Sequence, residues 1–305
     1  MHYKLINTFF VRKESAMQTN VLTEVFLPLS LAAIMLGLGL SLTPDDFTRI
    51  VRFPKSVATG LLNQVILLPV IGFLVVTFVP VSPELAVGLM VLAACPGGVT
   101  SNLITHLSRG NTALSITLTA ITSVITIFTI PLIVNLSLSH FMSQTAEIRL
   151  PVGTTMIQIF GITLLPVSIG MLIRYKAPQF ASRADRPMRI FSAVVFALIV
   201  LAAILKEREN LPEYIRTAGL AALLLNLATM LIGWIAGLMA GLSTEDKISV
   251  IIESGIQNGT LGIVITATLL KNPAMTVAPA LYSLIMFLTG GLMIFFFNRK
   301  HKAIN

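Results

Sequence analysis

Apolar residues run along this chain in long, nearly unbroken stretches, without the period-two alternation of a half-buried strand. Nine stretches approach or exceed the length of about 20 residues that carries a helix across ~30 Å of hydrocarbon. They are 24–43, 56–79, 85–107, 111–139, 151–174, 190–205, 217–242, 248–270 and 274–298. An open sheet could not satisfy its backbone in lipid, so the pattern predicts an all-α polytopic membrane protein. Segment 111–139 is longer than a perpendicular crossing needs, and Pro131 predicts a kink or tilt within it.

Composition agrees and removes alternatives. With 55% hydrophobic and 11% charged residues, the 305-residue chain lacks the polar surface of a soluble domain of that size. The reading is one transmembrane domain over 24–298, an N-terminal tail over 1–23 and a basic C-terminal tail over 299–305. The single cysteine, Cys95, permits no internal disulfide. The net charge of +8 could suggest a nucleic-acid partner, but the basic residues fall between apolar runs without interleaved aromatics. They report topology instead.

One side collects 13 basic residues, from Arg49, Arg52 and Lys55 through Arg109, the Arg174–Arg189 cluster and Lys247 to Arg299, Lys300 and Lys302; the other collects 8. The positive-inside rule then predicts a cytoplasmic C-terminus, and nine spans put the N-terminus outside. Lys4, Arg12 and Lys13 oppose that assignment; either a tenth, poorly hydrophobic segment lies before residue 24, or a start at Met17 removes them, and nine spans is the favoured reading. No signal peptide is read in the tail, and a bacterial inner membrane is the expected location.

Polar residues intrude at mid-membrane depth in two spans. The run Cys95-Pro96-Gly97-Gly98-Val99-Thr100-Ser101-Asn102 interrupts 85–107, and Glu253-Ser254-Gly255-Ile256-Gln257-Asn258-Gly259-Thr260 interrupts 248–270. Such runs free backbone groups that lipid cannot satisfy. Glu253 adds a carboxylate, which unpaired at the bilayer centre costs about 2.5–3.5 kcal/mol on the lenient insertion scale. No Lys or Arg lies within these spans to pair with it, so a bound cation or a proton is the expected partner.

In 111–139, Ser115, Thr119, Thr122 and Thr126 share one helix face, and Gln64 and Asn226 lie inside two further spans. The set offers neutral oxygens and one carboxylate, which suits a hard cation and not zinc-type chemistry. Weak internal repetition links Leu61-Leu62-Asn63-Gln64 to Leu223-Leu224-Leu225-Asn226, each followed by an interrupted span. Matching interrupted helices in two halves point to a secondary transporter. The Gly233, Gly237, Gly241 stripe reads as close helix packing, Trp234 as an interface or packing residue, and Asn135-Leu136-Ser137 as a chance glycosylation pattern.

The runs Cys95–Asn102, Asn111–Ser115 and Glu253–Asn258 together resemble the bile acid:sodium symporter family, over nearly the whole chain from about residue 24. The resemblance implies two inverted repeats, four spans plus five, in two subdomains with two unwound helices crossing. The panel would be 24–43 and 151–205, the core 56–139 and 217–298. It implies two sodium ions. The first would be held by Ser101, Asn102, Ser115, Thr119 and Glu253, the second by Gln64, Glu253, Gln257 and the carbonyls of Ser254 and Ile256. It also implies an organic anion lined by Val99, Thr100 and Asn258 near the helix starts. A His-Asn pair associated with bile-acid-handling bacterial relatives aligns with Met286 and Phe287. Small carboxylates such as pantoate or pyruvate therefore stand beside bile-acid-like molecules.

The expected function is sodium-coupled symport of an organic anion by alternating access, with no catalytic residues. A proton-coupled carrier using Glu253 is the alternative. An intramembrane enzyme is remote, because His106 and the serines stand in no hydrolase motif.

Overall fold

The computed structural model describes residues 22–142, 149–206, 208–209 and 211–302, so Lys4, Arg12, Lys13 and Met17 lie outside the described residues. Among the described residues all regular structure is helical. In chain order the long elements are α1 (Glu24–Ser41), α2 (Pro54–Phe78), an interrupted α3 (α3a, Pro83–Ala93; α3b, Val99–Leu107) and α4 (Thr112–Phe141). They continue as α5 (Val152–Lys176), α6 (Pro178–Leu205), α7 (Leu211–Met239), α8 (Thr244–Leu269, with α8a, Thr244–Gly255, before its break and α8b, Gly259–Val264, after it) and α9 (Pro273–Arg299). Among the described residues, eight helices are long and apolar enough to cross a membrane; where a ninth span is expected, α3 is two short helices meeting at a break.

Helix starts follow from the sequence. Pro54, Pro83, Pro178 and Pro273 open α2, α3a, α6 and α9, where a missing N–H costs no intrahelical bond. Side-chain oxygens of Ser82, Asn111 and Ser243 accept the amides of Leu85, Leu114 and Asp246, capping α3a, α4 and α8. Pro69 is preceded by a widened π turn over Leu62–Leu67, in which Leu68 N–H bonds Asn63 O. That turn carries Gln64. Helix α4 continues through Pro131 without ending.

The segment read as the short span 190–205 is different in the structure. Helix α6 begins at Pro178, so Arg183, Arg186 and Arg189, expected in a loop, are helical. A charged, exposed first half does not look like a span by hydropathy, yet its helix formers simply extend the apolar half.

Small residues set the closest crossings. A Cβ at Gly39 on α1 would overlap the Val167 carbonyl of α5, and one at Gly170 would overlap Leu36 O. Helix α1 packs chiefly on α5 and α6, whereas α3, α4, α7, α8 and α9 pack on one another. Gly88 of α3a lies against the Met275 carbonyl of α9. Gly233 and Gly237 of α7 press on Ser254 and Lys247, but Gly241 has open space and a φ of +62°, so it serves the turn after α7. Helix α8 is the least apolar of the eight long helices, and its most apolar stretch is wholly buried inside protein. Surrounding helices thus keep its polar break away from lipid.

Candidate functional site

The two breaks meet. Asn258 donates its amide to Pro96 O at 2.8 Å, joining the chain just after α8a to the chain just before α3b. Gly98 faces Asn258 with room for ordinary contact, whereas a Cβ at Gly97 would overlap Glu253 Oε2, so it is Gly97 that lets the carboxylate approach the backbone of the first break. Asn258 Oδ1 accepts the Leu261 amide at 3.0 Å and starts the helix beyond the break.

Glu253 is fully buried beside this crossing, and no Lys or Arg among the described residues pairs with it. Ser115 Oγ lies 2.5 Å from Glu253 Oε1 and 2.8 Å from Asn102 Oδ1. Thr119 Oγ1 lies 3.3 Å from Asn102 Oδ1 and 3.3 and 3.2 Å from the two carboxylate oxygens. The two hydroxyls carry one proton each and face three acceptor oxygens between them. The carboxylate is met here by neutral groups alone. Ser101 belongs to the same fold but is committed locally: its hydroxyl donates to Gly98 O at 2.8 Å.

On the other side of Glu253, Gln64 Nε2 donates to Glu253 O at 2.8 Å and to Glu253 Oε2 at 3.0 Å. Gln257 Nε2 donates to Glu253 O and Ser254 O at 3.1 and 3.0 Å. The Oε1 atoms of both glutamines are buried and find no protein partner. Ser254 turns its hydroxyl to Val250 O, leaving its carbonyl toward Gln257, and Ile256 is fully buried in the break. Uncommitted amide oxygens beside carbonyls and a carboxylate suit a hard cation. No trio of His, Cys, Asp or Glu exists among the described residues to hold a transition metal.

Three residues expected to add oxygens do not join. Thr122 and Thr126 bond carbonyls of their own helix, Leu118 O at 2.8 Å and Ser123 O at 3.4 Å. Asn226 instead donates to Gly255 O at 2.7 Å, which Tyr282 OH also reaches at 2.9 Å. Helix periodicity selects a face, not the rotamer, and nothing in the spacing marks Tyr282. Asn135 is held by both Leu150 N and Leu150 O, 2.8 and 2.9 Å away, which explains its place in the chain without glycosylation.

Val99, Thr100 and Asn258 line one pocket of about 110 Å3, bounded by Phe196, Met286 and Phe287. The Phe196 and Phe287 rings are 5.7 Å apart by centroid. A second cavity of about 280 Å3 adjoins through Val99, Leu103 and Ser192 and is lined by His106, Arg174 and Asp185. Arg189, placed in a loop by hydropathy, lines both.

Comparison with known proteins is consistent with this arrangement. The chain is 29% identical over 277 residues, 91% of its length and 84% of the relative's, to the uncharacterized sodium-dependent transporter YocS of Bacillus subtilis. It is 29% identical over 303 residues, 99% of its length and 70% of the relative's, to the probable sodium/metabolite cotransporter BASS2, chloroplastic, of Oryza sativa. Against the human ileal sodium/bile acid cotransporter identity is 26% over 247 residues, 79% of the chain and 69% of the relative. Residues 28–214, which contain the first break, α4, α5 and α6, match the sodium bile acid symporter family. On that match, and with its apolar helices, the chain belongs to the sodium bile acid symporter family and is a multi-pass membrane transporter, not an enzyme.

Proposed function

We propose that the chain couples inward sodium movement to uptake of an organic anion by alternating access. Sodium as coupling ion and an organic anion as cargo follow from the family. In this reading one sodium is held by Ser101, Asn102, Ser115, Thr119 and Glu253, and a second by Gln64, Glu253, Gln257 and the carbonyls of Ser254 and Ile256. The anion sits at Val99, Thr100 and Asn258, where the first turn of α3b directs amides toward it. The core, 56–139 and 217–298, moves against the panel, 24–43 and 151–205. The C-terminus is cytoplasmic and the N-terminus outside.

The observation that carries this reading is Glu253: fully buried, without a cationic side chain, and ringed by hydroxyl and amide groups whose acceptors exceed their hydroxyl protons. A bound sodium would neutralise the carboxylate and fasten the two breaks together, which prepares the anion pocket. If two sodium ions accompany a monoanion, one net charge moves inward. At ~100 mV and a tenfold sodium gradient that supplies about 5 kcal/mol, enough for accumulation above roughly a thousandfold.

Thermal unfolding of the purified protein in sodium against equal potassium, at fixed pH and ionic strength, tests it. A ligand that binds only the folded state raises apparent stability by mass action. Sodium-specific stabilisation that Glu253→Ala abolishes is expected. No sodium effect in wild type up to several hundred millimolar would overturn the sodium sites and leave Glu253 as a proton carrier.

A further inference from the structure

The proposed sodium ligands lie on α2, α3, α4 and α8, and Val99, Thr100 and Asn258 lie on α3 and α8. A ligand held only by these helices makes no contact that differs as α6 moves relative to them, so it cannot bias that movement. A contact to the cargo from outside these helices supplies such a bias; α1 offers the apolar Ile34 and Met35, and α6 offers a charged one. Arg189, Ser192, Ala193 and Phe196, spaced along one face of α6, line the pocket that also holds Val99, Thr100 and Asn258. The guanidinium of Arg189 bonds the Asp185 carboxylate one turn earlier, and Asp185 lines the adjoining larger cavity but not the inner pocket.

An i, i+4 Arg-Asp pair is ordinarily a solvated helix decoration of small value. Its position is not ordinary here. The side chain borders two cavities that share lining residues, with its ion-pair partner among the described residues in the outer one and the amide-bearing turn of α3b at the inner one. A guanidinium keeps its charge at any working pH and grips a carboxylate through two parallel N–H donors. We propose that Arg189 is the α6-side ligand of the transported anion: a carboxylate seated against Val99, Thr100 and Asn258 takes Arg189 from Asp185 and so bridges the two groups of helices.

The lining of the inner pocket bears on the cargo. It suits a carboxylate whose short apolar part packs against Met35, Phe196 and Phe287, whereas a sterol-sized anion would have to extend into the adjoining cavity, away from those side chains. This inference rests on the anion site proposed above and extends it to the recognising charge.

The test is calorimetric binding of pyruvate, pantoate and cholate to the purified protein in saturating sodium, alongside the sodium-against-potassium thermal shift without carboxylate. Pyruvate or pantoate is expected to bind wild type, and cholate at least tenfold more weakly. Arg189→Gln should weaken the small carboxylate tenfold or more and Arg189→Lys less, with the sodium shift unchanged in both. Asp185→Asn paired with Arg189→Gln should remain weak. Restoration of binding in that double variant would show that Arg189 only masks Asp185 and would overturn the proposal. So would Arg189→Gln binding as wild type, or a sodium shift in wild type with no small carboxylate bound. Absence of the sodium shift itself marks failure of the sodium sites, a separate signal.

Discussion

Asn258 N–H and Pro96 O, 2.8 Å apart, tie the two interrupted helices together by backbone alone. The Asn258 side chain does a second job, accepting the Leu261 amide to cap α8b. The two roles separate by substitution. Asn258→Asp keeps an N-cap oxygen but buries a second carboxylate at membrane depth, and should lose about 2.5–3.5 kcal/mol while placing a negative charge where the anion is proposed to bind. Asn258→Ala should lose about 0.5–2 kcal/mol. Thermal unfolding with a carboxylate binding assay checks both. Retained carboxylate binding in Asn258→Asp would remove Asn258 from the anion site.

Gly97 answers a different question. A Cβ there overlaps Glu253 Oε2, the far end of a side chain that can yield only by leaving Gln64 and Thr119. Gly97→Ala is therefore expected to fold and to lose at least tenfold in sodium affinity, about 1.4 kcal/mol, measured as the sodium concentration giving half the thermal shift. Gly161→Ala, where a Cβ meets open space, should leave that concentration unchanged. Equal behaviour of the two variants would mean that the Glu253 carboxylate position does not govern the cation.

Along α4 the hydroxyls divide. Ser115 donates toward Glu253, whereas Thr122 donates to Leu118 O. A hydrogen bond to a charged group is worth about 1.5–3 kcal/mol and a helix-internal hydroxyl bond far less. Ser115→Ala should weaken sodium stabilisation by an order of magnitude or more, and Thr122→Ala by less than twofold. Titration of melting temperature against sodium measures both, and an equal loss in the two variants would refute the division.

Much of this was legible in the sequence because lipid is an unforgiving solvent. Apolar length gave the spans, and a lone Glu253 amid Pro, Gly and Asn marked the breaks before any contact was known. Periodicity stopped at the helix face: it grouped Ser115 and Thr119 with Thr122 and Thr126, though only the first pair turns to Glu253. Hydropathy hid the start of α6, since Arg183, Arg186 and Arg189 read as a loop, and with it the one α6 charge that lines the pocket beside Val99, Thr100 and Asn258. Asn226 was visible as a polar residue in a span, but its partner Tyr282 lies 56 positions away and no local signal joins them.

That pair makes the last prediction. The Gly255 carbonyl, just before the second break, receives both Asn226 Nδ2 at 2.7 Å and Tyr282 OH at 2.9 Å, and all three residues are buried. Either donor alone still serves the carbonyl, so Tyr282→Phe should cost only about 0.5–1.5 kcal/mol. Removing both leaves a buried acceptor unsatisfied, and the double variant with Asn226→Ala should lose about 1–3 kcal/mol more than the single losses added together. Because Gly255 lies two residues from Glu253, the double variant should also blunt the sodium thermal shift, which Tyr282→Phe alone should preserve. A double-mutant cycle in denaturant, repeated in sodium and in potassium, reads both effects. Strict additivity would show that the two donors do not share the carbonyl, and that the second break is held instead by the Pro96 to Asn258 tie.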